Sequence, residues 1–151
     1  MLGSAVVLLA LACPSRDGPA WDWRDHVRRA DGSEVTLAGV EARPVLLVFS
    51  SAWATPCRPL LSELAGLSDR AQVLVVQADP AAPAVSDDSF GFEVLVPTGG
   101  ELTRRMDVRV LPTAVLFDRS GRQVGRFEGY STKQVARVSA ALDSVMATEK
   151  Q

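Results

Sequence analysis

Two unbroken apolar runs, separated by a segment of helical periodicity, constrain this chain more than any other feature. Residues 44–50 read PVLLVFS and residues 72–78 read QVLVVQA. Neither run alternates with polar residues, so each suits a strand covered on both faces, as in the interior of a parallel sheet. Between them, CRPLLSELAGL places Leu60, Leu61, Leu64 and Leu67 at helical spacing, which predicts a helix from about Thr55–Pro56 to about Ser68. Strand, helix, strand in that order is a βαβ unit, and it predicts an α/β protein with a parallel pair.

The rest of the chain extends this unit. WDWRDHVRRADGSEVTL, with Trp21 and Trp23 alternating and a turn at ADGS, predicts a small hairpin feeding Val35–Leu37. DPAAPAVSDDS reads as a solvated loop, FEVLVP as a short strand and GGELTRRMDV as a short helix. TAVLFDRSGRQVGRFEG is a hairpin: two alternating runs joined by DRSGR, with Gly121 able to take positive φ. Ser131 and Gln134 form a capping-box pattern, and Val135, Val138, Leu142, Val145 and Met146 make one apolar stripe of a closing helix.

The 151 residues suffice for one domain, and the net charge of −2 without a basic run gives no footprint for nucleic acid. The arginines at 24, 28, 29, 104, 105 and 109 are scattered and read as solvated surface, as does the single histidine, His26. One histidine and two cysteines, Cys13 and Cys57, are too few and too separated for a metal site, and no cofactor is implied.

The N-terminal MLGSAVVLLALAC is apolar or small up to Ala12. It is too short to cross a bilayer core as a helix, which takes roughly 20 residues. Its length fits a signal-peptide apolar region, with Ala10 and Ala12 before a cleavage point, although no basic residue precedes it. LALAC resembles the lipobox of bacterial lipoproteins, with Ala10 where Leu is usual. Residues 1–12 are therefore expected to be a lipoprotein-type signal peptide and Cys13 the lipidated first residue. A conventionally cleaved leader and a buried terminal strand or helix are the alternatives. Residues 13–30 then form a tether and the start of the hairpin, and 31–148 the folded domain. With Cys13 lipidated, Cys57 is the only remaining thiol and no internal disulfide forms.

Four segments, in order and correctly spaced, resemble the exported TlpA/ResA group of the thioredoxin-like superfamily. DGSEVTLAGVEARPVLLVFSSAW is similar to the group's opening, and WATPCR to its Trp-Cys-x-Pro-Cys-Arg motif. FGFEVLVPTGGELTRRMDVRVLPT is similar to the segment leading into its cis-proline, and AVLFDRSGRQVGRFEGY to its closing hairpin with Gly129. The resemblance implies a thioredoxin fold, with a central mixed sheet of four to five strands flanked by helices and a cis-proline loop at Pro112. It also implies a thiol–disulfide oxidoreductase acting on exported proteins.

The motif departs from the group where its chemistry begins. Ala54 stands where the resemblance puts the nucleophilic Cys, and Cys57 at the resolving position. The group's carboxylate near the second Cys falls at Val48 or Leu60. Burial among apolar neighbours disfavours a thiolate, so nucleophile and base are lost together. What the resemblance leaves is a substrate groove of Trp53, Thr55, Pro56, Leu111 and Pro112, in which the backbone before the proline pairs with an extended segment.

Two readings follow. The first is a redox-degenerate binding module that holds an extended segment of an exported partner at a membrane surface. The alternative is a monothiol protein acting through Cys57, by mixed disulfide with a thiol partner or by peroxiredoxin-like reduction of peroxide.

Overall fold

The computed structural model describes residues 23–29, 31–35, 43–51, 54, 56–78 and 92–149. Cys13, Trp53, Thr55 and the loop predicted after Ala78 lie outside the described residues. The strands are β1 (Val27–Arg29), β2 (Val45–Ser50), β3 (Gln72–Gln77), β4 (Glu93–Pro97), β5 (Thr113–Phe117) and β6 (Gln123–Glu128). The helices are α1 (Cys57–Leu64), α2 (Glu101–Arg105) and α3 (Thr132–Glu149), with 3₁₀ turns at Trp23–His26 and Ala65–Leu67.

One mixed sheet carries all six strands in the order β1-β4-β3-β2-β5-β6. That is one strand more than the upper expectation, because Val27–Arg29 pairs antiparallel with β4 at the sheet edge. Among the described residues the predicted N-terminal hairpin shows a tight turn, in which Arg29 N–H donates to Ser33 O at 2.9 Å, and a bridge between Arg28 and Glu34; Thr36 and Leu37 of its second run lie outside the described residues. Trp23 lies in the 3₁₀ turn and is buried, and Trp21 lies outside the described residues. Arg29 is not free surface either, since its Nε pairs with Glu93 across β1 and β4.

The doubly buried strands behave as their sequence demands. All six residues of β2 are buried. Leu46 and Val48 face one side, packing with Leu60, Leu61 and Leu64 of α1 and Val138 and Leu142 of α3. Val45, Leu47 and Phe49 face the other, with Trp23, Leu102, Met106 and Phe117. The period of two thus divides one apolar run between two cores, and helices cover both faces of the sheet. β2 pairs parallel with β3 and antiparallel with β5.

Local chemistry closes the C-terminal half. At the head of α3, Gln134 N–H donates to Ser131 Oγ at 3.1 Å. The reciprocal half of the capping box is absent: Gln134 Nε2 donates instead to Glu128 O, and Arg137 Nη1 donates to Gln134 Oε1. In the β5–β6 turn Gly121 takes φ 84°, which a side chain would strain. Asp118 organises that turn, its Oδ1 accepting from Ser120 N–H (2.9 Å), Ser120 Oγ (2.5 Å) and Arg122 N–H (3.0 Å).

Burial is the largest single influence on the Asp118 carboxyl and raises its pKa. The Ser120 hydroxyl, the N–H groups of Arg122 and Ser120, and the Arg122 guanidinium outweigh it and hold the pKa below the ordinary value. A depressed carboxylate stabilises the fold above its unfolded pKa, about 3.9, and loses that contribution as pH falls through the folded value. Asp118→Asn is therefore expected to lower stability by about 1 kcal/mol near neutral pH. In urea titrations the difference from the parent should close below about pH 4.

Candidate functional site

The site is built where β2 ends and β5 begins. The antiparallel register opposes Phe49 to Thr113, so Pro112 arrives beside the end of β2. From that end the chain turns into α1 through two backbone bonds: Ala54 N–H donates to Ser51 O (3.2 Å) and Cys57 N–H donates to Ala54 O (3.0 Å). Helix α1 starts at Cys57, with Pro56 as its cap at φ −70°. Proline is at home there, because the N–H groups of a first turn have no intrahelical partner; Pro59 exploits the same vacancy.

Cys57 is 2% exposed and Ala54 8%, so neither the thiol nor the position aligned with the nucleophile is open to solvent. Val48 (0%) and Leu60 (2%), the two places where the resemblance sought a carboxylate, belong to the apolar core under α1. Pro56 and Arg58 are exposed. The helix is tied down at its far end, where Tyr130 Oη donates to Glu63 Oε1 at 3.0 Å. That bond first, then burial and the Glu63 charge, raise the Tyr130 pKa.

On the opposite side, the Leu111–Pro112 peptide is cis. Pro112 is buried and its carbonyl accepts Gly129 N–H at 2.8 Å, while Leu111 is half-buried. Thr113 Oγ1 donates to Val110 O at 2.7 Å. Val110 itself is 44% exposed, one of two large apolar side chains left in solvent among the described residues. Sequence reasoning passed over Val110; an apolar residue two before the proline, in the alternation VRVLP, was its signal.

The described residues thus bring Ala54, Pro56, Cys57, Leu111 and Pro112 to one end of the sheet. His26 lies apart from them, half-buried, with Nδ1 4.0 Å from Glu101 Oε2. Among the described residues no three His, Cys, Asp or Glu side chains gather as metal ligands. No helix among them is long and apolar enough to cross a membrane.

The thioredoxin-like domain family matches residues 33–145. The chain belongs to the thioredoxin-like family. Among its relatives, the thiol-disulfide oxidoreductase ResA of Bacillus thuringiensis subsp. konkukian is 26% identical over 113 residues. That match covers 69% of this chain and 65% of the relative's length. An uncharacterized thioredoxin-like protein from Porphyromonas gingivalis superposes with a TM-score of 0.66 at 19% identity, covering 80% of this chain and 88% of that one. The exposed lipoprotein thioredoxin Etrx1 of Streptococcus pneumoniae gives 0.58 at 19% identity, covering 79% and 97%. These likenesses carry the thioredoxin-like fold, and the relatives aligned in sequence are thiol-disulfide oxidoreductases of the same family.

Proposed function

We propose that this thioredoxin-like domain has given up two-cysteine turnover and serves as a binding module, holding an extended segment of an exported protein along Leu111–Pro112. One observation carries the reading: the single described cysteine is 2% exposed, and the positions where a redox site needs a nucleophile and a base hold Ala54, Val48 and Leu60, all buried. A thiol without either has no route to repeated exchange. Residues 1–12 are read as a leader and Cys13 as the lipid-anchored residue. Residues 13–30 are the tether and 31–148 the domain, displayed on the outer face of a membrane. The lipoprotein Etrx1, which shares the fold, supports this placement.

The test is the alkylation of Cys57 in the folded chain by iodoacetamide, followed by peptide mass. If access requires local opening, the rate should be at least about 100-fold below that of free cysteine. Cys57→Ser should leave partner binding intact. One feature favours the monothiol alternative: Cys57 is the first residue of α1, where helix N-termini favour negative charge. Reaction as fast as free cysteine, with function abolished in Cys57→Ser, would replace the binding reading by that alternative.

A further inference from the structure

We infer that Arg126 is the positioning residue of the groove's lip, fixing from β6 the point at which residues 108–112 leave α2. The inference rests on the groove reading above. Helix α2 has only five residues, too few to persist without tertiary support. It also ends without a glycine: Asp107 takes φ 51°, a left-handed conformation that costs a non-glycine residue about 1 kcal/mol or more. Something outside the helix must hold this end.

Arg126 supplies the hold. It lies opposite Val115 in the β5–β6 register, and Val115 belongs to the core cluster that also contains Leu102 and Met106 of the α2 region. Arg126 Nη1 donates to Met106 O and Nη2 to Asp107 O, each at 2.5 Å, and Nε donates to Glu128 Oε1 at 3.0 Å. All three guanidinium nitrogens are engaged. A planar fork grips two successive carbonyls, and Glu128 sets the fork's direction and balances its charge.

The other end of the segment is fixed by Thr113 Oγ1 on Val110 O and by Gly129 N–H on Pro112 O. The lip is thus pinned upstream from β6 and downstream by Thr113 of β5 and by Gly129 just after β6, and Val110, held through its carbonyl, keeps its side chain exposed. Loss of the fork frees the upstream end alone. Lysine cannot replace it, because one ammonium lacks the two parallel donors.

Hydrogen exchange on the full chain tests the inference without a partner. Met106, Asp107 and Val108 N–H donate to Leu102, Arg104 and Thr103 carbonyls. In Arg126→Lys and Arg126→Met these amides should lose about tenfold or more of their protection, while β2 and β3 amides keep theirs. Unchanged protection, or an equal loss throughout the sheet, would overturn the inference. A second arm places Arg126→Lys on an Ala54→Cys background and uses insulin and oxidised glutathione as disulfide probes with dithiothreitol as reductant. KM for insulin should rise about fivefold with kcat little changed, and turnover of glutathione, too small to span the lip, should not move. Parallel changes with both probes would reduce Arg126 to a structural residue. If Ala54→Cys turns over oxidised glutathione but reduces no insulin, the groove reading fails on its own, and the exchange measurement still decides the role of Arg126.

Discussion

Ala54→Cys is expected to form an intramolecular disulfide with Cys57 and to give the chain insulin-reducing activity above that of the parent. The geometry is in place, because Cys57 N–H reaches Ala54 O at 3.0 Å. Residues so linked through one turn have Cα atoms about 5–6 Å apart, inside the window a disulfide accepts. The introduced thiol would lie just before α1, where helix N-termini favour the thiolate. That thiolate attacks an insulin disulfide and releases one insulin thiolate. Cys57 then attacks the mixed disulfide and releases the second, and dithiothreitol reduces the resulting internal disulfide. With Val48 and Leu60 where a carboxylate would manage the proton, turnover should stay about 10²–10⁴-fold below that of a dithiol enzyme with its base. Two free thiols persisting under oxidising conditions would mean that the turn has lost the shape of a redox site.

Phe49→Ala should be the most damaging single truncation. Phe49 is fully buried, at 0% exposure, as the penultimate residue of β2 before the site. It lies between Val76 of β3 and Thr113 of β5 in the ladder. Removing a buried phenyl costs about 3–5 kcal/mol. At about 2–4 °C per kcal/mol for a chain of this size, the thermal midpoint should fall by roughly 6–20 °C. Phe49→Leu, which keeps most of the volume, should cost about 1–1.5 kcal/mol. Equal midpoints for parent and Phe49→Ala would mean that the second core cluster contributes little to the fold.

The parts legible in the sequence are those whose burial is written in their own residues. β2 and β3 are covered on both faces and so read as continuous runs, and the stripe of α3 and the Asp118–Gly121 turn carry their own signals. β1 has none: Val27–Arg29 contains one buried residue and becomes a strand only because β4 offers it an edge. Half of the Ser131–Gln134 capping box is not made, because Gln134 Oε1 accepts from Arg137 Nη1 while its Nε2 donates to Glu128 O, partners that only the folded chain brings near. At the site, Ala54, Cys57 and Pro112 are legible only through the resemblance of WATPCR and VLPT to the motifs of the TlpA/ResA group. Arg126 was not, because an arginine in an alternating strand looks solvated until the path of α2 is known.

The order in which the chain is made has a consequence for the groove. One wall comes from residues after β2 and the other from residues before β5, and Phe49 opposite Thr113 joins them. More than sixty residues separate Ser50 from Phe117, and the first strand pair that synthesis completes, β2 with β3, contains no part of the second wall. A nascent or truncated chain that stops at β4 can bury much of its apolar surface and still own no groove. On the binding reading proposed above, recognition waits until β5 has been synthesised and inserted beside β2, so that an unfinished chain has nothing with which to hold a partner.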